Sequence, residues 1–243
     1  MKRSPCAHGN PVWLSPPVPG HPLDNPAWTS LTGPHETLAE RKGRAARYLP
    51  DVAPFAALPL EPEPQDWADL AALAGPGETV VIAGPLRTPP EGWTVGMSLP
   101  GVQMDGSAMV VAPDPEAVVL GAADVPEMLD LVARTRPGPF LERTRLTGTY
   151  LGIRRDGALV SMAGERMHPP GWTEISAVCT DPAFRGHGFG GRLVRAVGAV
   201  VRERGDIPML HASADNVPAI RLYEHLGFTL RQNLTFMGLT TPA

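Results

Sequence analysis

The segment TDPAFRGHGFGGRLVRA (residues 180–196) places four glycines between positions 186 and 191, at the head of a run with helical apolar spacing. Glycines let backbone N–H groups come close to a phosphate. A helix that starts there turns the positive end of its dipole toward the charge. Two phosphate loops share these letters. Gly186, Gly188 and Gly191 spell G-x-G-x-x-G, whereas Arg185, Gly188 and Gly190 spell R-x-x-G-x-G. A dinucleotide fingerprint sets its first glycine almost directly after the first strand of a domain. Here an apolar strand pattern ends near Thr180, five residues intervene, and three other strand patterns come earlier. Asp215, after the next strand pattern, keeps the place of a ribose-binding acid open. A Walker loop is excluded, because no Gly-Lys-Ser/Thr follows. A turn this rich in glycine that bound nothing would carry a stability cost without a purpose.

Other side chains could move protons. Glu174 heads the strand pattern that leads into the loop. A carboxylate flanked by Thr173 and Ile175 in a partly buried strand is expected to have a raised pKa, suited to a base. Glu165, in the otherwise apolar MAGERM, is the second candidate. His211 interrupts an apolar strand pattern and is expected as a hydrogen-bonded core residue. His187 lies inside the glycine loop and is expected to be exposed. His168, beside Pro169 and Pro170, is expected at a substrate mouth. No two histidines share a metal-ligand spacing, so no metal is expected. The two cysteines are Cys6, in a loose opening tail, and Cys179, inside an apolar strand pattern. Such sparse cysteine suits a reducing cytoplasm, the expected location.

The elements that must position these groups follow from periodicity. The 243 residues carry a net charge of −4, which gives no general basic surface for nucleic acid. The opening residues lack an apolar stretch, so no signal peptide is expected, and no window of 18 apolar residues marks a membrane span. Residues 1–35, rich in Pro, Gly, His and Asn, read as extended loop, and Glu36–Ala46 as a short helix. A helix over 66–75 and a strand over 78–84 come next, then strands in WTVGMSL and VQMDGSAMVVA. APDPEA (112–117) is the best linker, dividing the chain into regions 1–112 and 113–243. The second region reads as a short strand (117–120), a helix capped by Asp124 and a short helix in PFLERTRL. A hairpin turning at Asp156-Gly157 and a strand over 173–180 follow. Then come a helix over 189–204, a strand in PMLHASA, a helix with Asn216 as N-cap and Gly227 past its end, and one or two closing strands. This is an α/β (α+β) pattern with no tandem repeat.

Arg185-x-x-Gly188-x-Gly190 after a strand and an Asp-Pro pair, opening an amphipathic helix, resembles motif A of the GNAT superfamily of N-acetyltransferases. The later stretch with Asn216, Ala219, Tyr223, Gly227 and Phe228 resembles a second signature of the same superfamily. The resemblance covers residues 117–243. HPLDNPAWTSL and YLPDVAPFAAL look like the amino-terminal lobe of a two-lobed branch. It implies a GNAT fold: a mixed, mostly antiparallel central sheet flanked by helices, with a smaller, degenerate amino-terminal lobe. That lobe has no phosphate loop of its own and would wall the acceptor site.

The resemblance also implies acetyl-CoA as cofactor, lying where the central strands splay apart. The backbone of Gly186, His187, Gly188, Phe189, Gly190 and Gly191 would hold its pyrophosphate, with Arg185 ordering the loop or touching phosphate. Backbone groups near Val178 and Thr180 would bond the pantetheine arm, and one N–H there would polarise the thioester. Asn216 would contact the arm, although the same side chain is wanted as an N-cap. Tyr223 would protonate the leaving thiolate, and some members keep a glutamate at the position of Glu174 as the base. The implied reaction is direct transfer of an acetyl group to a primary amine of a small molecule, peptide or protein, in a ternary complex. An acyl-cysteine on Cys179 is not expected. A non-catalytic acyl-CoA-binding regulator of the same fold is the alternative, and a dinucleotide-dependent oxidoreductase a third reading. No nucleic-acid or membrane partner is expected. The last strand, TFMGL, could pair across a homodimer.

Overall fold

The computed structural model describes residues 20–85 and 87–243; Cys6 and the tail before residue 20 lie outside them. Eleven strands form one sheet in the order β1-β2-β3-β4-β11-β5-β10-β9-β8-β7-β6. They are β1 (Ala39–Lys42), β2 (Ala45–Tyr48), β3 (Phe55–Ala57), β4 (Thr79–Gly84), β5 (Thr94–Asp105), β6 (Val118–Val119), β7 (Tyr150–Arg155), β8 (Ala158–Glu165), β9 (Trp172–Thr180), β10 (Ile207–Ser213) and β11 (Thr229–Thr240). Among the described residues five α-helices flank it: α1 (Pro26–Leu31), α2 (Pro64–Ala74), α3 (Val125–Thr135), α4 (Phe189–Glu203) and α5 (Val217–His225). Only β3–β4 and β9–β10 pair in parallel. The mixed, mostly antiparallel sheet that the resemblance implies is therefore what the chain builds.

Local chemistry explains most elements. Asp156 and Gly157 both have positive φ, 50° and 82°, as a two-residue hairpin turn with the twist of its strands requires. Asn216 caps α5, its side chain accepting from the N–H of Ala219 at 3.3 Å. Gly227, at φ 95°, lets the chain leave that helix. In α4, Leu193, Val197 and Val201 of the stripe that the spacing predicts are buried in the core, Val200 is partly buried against it, and Val194 joins them. α3 covers the other face with Met128 and Leu131. β8 is buried along seven consecutive residues, as suits a strand with a helix on each side.

Several expectations are corrected. Residues 20–35 are not extended loop, since α1 lies within them, and Glu36–Ala46 is not a helix. After a short 3-10 turn at Glu36–Leu38 it becomes β1 and β2, a hairpin whose Ala45, Ala46 and Tyr48 are buried. Tertiary burial of these side chains overrides the local helix propensity. PFLERTRL forms no α-helix; its last three residues enter a 3-10 turn at Thr144–Thr147. WTVGMSL and VQMDGSAMVVA do not make separate strands, because one strand, β5, runs through the first and ends at Asp105. Asp124 does not cap α3 with its side chain, which instead takes the N–H of Gly121 and pairs with Arg154. TFMGL offers no free edge for a second copy: Thr235–Leu239 pairs with β4 on one side and β5 on the other.

The sheet does not break at residue 112. β5, from the first region, lies between β10 and β11 of the second. Its Gly101 pairs with Ser213 on one side and Leu234 on the other. Asp105 likewise sits between Met209 and Thr229.

Candidate active site

β9 and β10 pair through three rungs only, ending at Met209 with Glu174. Beyond Glu174 the strands diverge, and the edge of β9 that faces β10 has no strand partner among the described residues. β9 also carries a bulge. Ala177 and Val178 together stand opposite the single residue Ala163, and Ala177 has φ 52°. A left-handed alanine costs about 1–2 kcal/mol. Such bulges re-aim backbone groups, and here the re-aimed groups border the opening between β9 and β10.

That opening is a cavity of about 690 Å³. One end is formed by β9 from Ile175 to Thr180, the loop at Arg185 and Gly190, and Asn216, Ala219 and Tyr223 of α5. The other reaches Phe55, Val81, Met97, Leu99 and Phe236, on strands of the opposite half of the sheet. Pro137 and its neighbours after α3 close a third side.

The glycine loop has the form its spacing predicts. Gly186 and Gly188 have φ 84° and 75°, and a Cβ at either would meet open space. Gly188 is the N-cap of α4 and supplies no side-chain bond, so the first-turn N–H groups of a 15-residue helix have no side-chain cap. Gly190 leaves room between that turn and β9: a Cβ there would stand 3.8 Å from Thr180 Oγ1 and Val178 Cγ1. Arg185 is exposed and makes no ion pair among the described residues. His187 is exposed as expected, its ring stacked on Phe189 at 5.7 Å, while Phe189 itself is buried in the core.

Tyr223 is 8% exposed and lines the cavity, and burial pushes its phenol up to about 12. It makes no hydrogen bond among the described residues, so the hydroxyl stays protonated and has a proton to give. The Asn216 side chain is committed to capping α5 through its oxygen, which leaves its NH₂ for other contacts.

Glu174 departs from expectation. Its carboxylate is wholly buried, and burial alone would raise its pKa. Arg166 outweighs burial with two hydrogen bonds, Nε to Oε2 at 2.9 Å and Nη2 to Oε1 at 2.5 Å. His211 Nδ1 adds a third contact, 2.7 Å from Oε1. Glu174 is therefore held well below the usual carboxylate range, the opposite of the raised pKa expected. Glu165 is buried too, with its pKa lowered: burial opposes, while His168 and a bidentate contact from Arg204 at 2.9 and 3.0 Å prevail. Glu165 does not line the cavity. Nor does His168, whose ring lies 4.5 Å from that of His35, tilted by 35°, and whose Nε2 is 3.1 Å from Glu165 Oε2. Cys179 is buried, and burial pushes its thiol up to about 11, away from a nucleophilic thiolate.

The sequence reading passed over Arg166 and Gln103. Gln103 Oε1 accepts from Arg231 at 2.7 Å, and its NH₂ lies 3.0 Å from His211 Nε2. Arginine can only donate, which fixes the orientation of the amide. His211 Nε2 must then accept from Gln103, so Nδ1 carries the proton that goes to Glu174. The period of a strand could have revealed Arg166. Glu165 and Arg166 are consecutive, so one faces Arg204 and the other must face the opposite side, toward Glu174 and the cavity.

Comparison with known proteins agrees with this geometry. The FR47-like protein family matches residues 150–237. A mycothiol acetyltransferase of Thermomonospora curvata is 33% identical over 154 residues, which cover 60% of this chain and 47% of that protein. The chain thus spans about half the length of that curated relative. A crystal structure of a GNAT-family protein from Novosphingobium aromaticivorans superposes with a TM-score of 0.85 at 42% identity, over 92% of this chain and all of that one. A GCN5-related N-acetyltransferase from Kribbella flavida shares the fold at TM-score 0.59 and 17% identity, over 89% and 96% of the two chains. The splayed strands, the uncapped glycine loop and these likenesses agree: the chain belongs to the GNAT superfamily of acetyltransferases.

Proposed function

We propose that this protein transfers an acetyl group from acetyl-CoA to a primary amine by direct attack in a ternary complex. The observation that carries this reading is the open, bulged edge of β9 beside the uncapped first turn of α4, with Tyr223 lining the same cavity. Acetyl-CoA would supply the acyl group as a thioester. The N–H groups from Gly186 to Gly191 would hold its pyrophosphate with Arg185 nearby, and the β9 edge around Val178 and Thr180 would hold its arm. A backbone N–H at the bulge would polarise the thioester carbonyl.

In the transfer the amine nitrogen bonds to the carbonyl carbon and the carbon–sulfur bond breaks. Tyr223 gives its phenolic proton to the departing sulfur and recovers one, through solvent, from the acylated nitrogen. Glu174 is ionised and held by two partners, and it orders the cleft instead of taking a proton. No Asp or Glu lines the cavity among the described residues. The amine must therefore arrive neutral, and the rate should follow the pKa of the acceptor's own amine.

Calorimetric titration with acetyl-CoA, with NADH as control and Gly188→Trp alongside, tests the reading. Acetyl-CoA should bind the wild type, NADH should not, and the variant should bind neither. Binding of NADH would restore the dinucleotide reading. Acetyl-CoA binding without turnover on any amine would favour an acyl-CoA-binding regulator.

A further inference from the structure

The end of the cavity away from the glycine loop has a chemistry of its own. Phe55, Val81, Met97, Leu99 and Phe236 give it an apolar wall built by four neighbouring strands, β3, β4, β11 and β5. Arg166 stands in this wall. It is 92% buried by its 8% exposure, and its guanidinium lies 4.6 Å from the centre of the Phe55 ring. Nε and Nη2 are taken by Glu174, whereas Nη1 has no hydrogen-bond partner among the described residues, and Arg166 lines the cavity. A guanidinium nitrogen with unused donors beside a largely apolar cavity calls for an oxygen acceptor. The cavity's other charged side chains, Arg136 and Arg185, are also arginines. A polycation entering it would meet cations and no carboxylate.

Resting on the transferase reading above, we infer that this chamber is the acceptor site and that it selects a primary amine carrying an apolar body and a carbonyl or carboxylate oxygen. The oxygen would take Nη1 of Arg166, and the apolar body would lie against Phe55, Leu99 and Phe236. Polyamines would be poor acceptors.

Five amines separate the contributions: L-phenylalaninamide, L-phenylalanine, 2-phenylethylamine, glycinamide and spermidine, each assayed with the full chain and acetyl-CoA. Phenylalaninamide or phenylalanine should exceed the last three in kcat/KM by at least about tenfold, since an unpaired buried donor or an empty apolar wall is that costly. Whichever of the two is better identifies the oxygen as carbonyl or carboxylate. Met97→Glu places a carboxylate at the partly exposed rim of the wall. It should improve spermidine relative to phenylalaninamide by about tenfold, with acetyl-CoA affinity as the control readout. Spermidine, glycinamide or 2-phenylethylamine equal to the best acceptor would overturn the inference. So would acetyl-CoA binding with transfer to another primary amine but to none of the five. Failure to bind acetyl-CoA at all would instead bring down the transferase reading beneath it.

Discussion

His211, two residues past the last rung that pairs their strands, holds Glu174 of that rung through a 2.7 Å hydrogen bond from Nδ1 to Oε1. The bond spans the point where β9 and β10 part. With Arg166 on its other side, Glu174 becomes the ionic pin at the apex of the cleft. Glu174→Gln leaves Arg166 buried without a counter-charge, which should cost about 3–5 kcal/mol. A lower urea midpoint should accompany a pH–rate profile that still tracks the acceptor's amine. Intact stability with the acid limb of that profile lost would instead identify Glu174 as the base.

Tyr223→Phe removes a hydroxyl that bonds nothing among the described residues and leaves the ring packed at 6.0 Å against Phe228. Stability and the Kd for acetyl-CoA should scarcely change, while kcat falls by about 10²-fold. A variant with undiminished kcat would move the proton donor elsewhere.

Gly190→Ala separates stability from function. Position 190 lies in the first turn of α4, and a Cβ there makes only ordinary contacts, so the helix should gain roughly 0.5–1 kcal/mol. The same methyl would lie 3.8 Å from Thr180 and Val178, in the path proposed for the arm. Thermal melting and calorimetry on one preparation should show a raised Tm beside an acetyl-CoA affinity reduced about tenfold, or ~1.4 kcal/mol. Unchanged affinity would place the arm elsewhere.

His35 predicts a pH dependence of stability. Burial foremost, and then the neighbouring His168, lower its pKa from 6.5 to about 4, and its Nδ1 lies 2.9 Å from the Tyr48 hydroxyl. Between those values the unfolded chain binds a proton that the folded one refuses. Stability is therefore present above pH 6.5 and lost as pH falls toward 4, by up to about 3 kcal/mol. Urea midpoints at pH 7 and pH 5 should differ less in His35→Gln than in the wild type. Equal differences would assign the acid sensitivity to other groups.

A fragment of residues 113–243 lacks the strand between β10 and β11. Both would be left with an open edge over an apolar core. We expect it to be insoluble or unfolded; a soluble fragment that binds acetyl-CoA would show that the second region stands alone.

By itself the sequence determined what rests on local rules. The glycine spacing at 186–191, the Asp156-Gly157 turn, the cap at Asn216 and the apolar stripe of α4 each depend on a few neighbouring residues and on backbone geometry. They were legible, and with them the family. What tertiary structure decided depends on pairing between distant positions. Glu36–Ala46 became strands because alanines and a tyrosine found a core there. Gly101 came to lie between Ser213 and Leu234, joining halves that a proline-rich linker had suggested were separate. The pKa of Glu174 is the clearest case. Burial, which the strand pattern indicated, raises it. Arg166 and His211, eight and 37 positions away, reverse the sign, because at hydrogen-bond distance in a dry interior an opposite charge outweighs the loss of water.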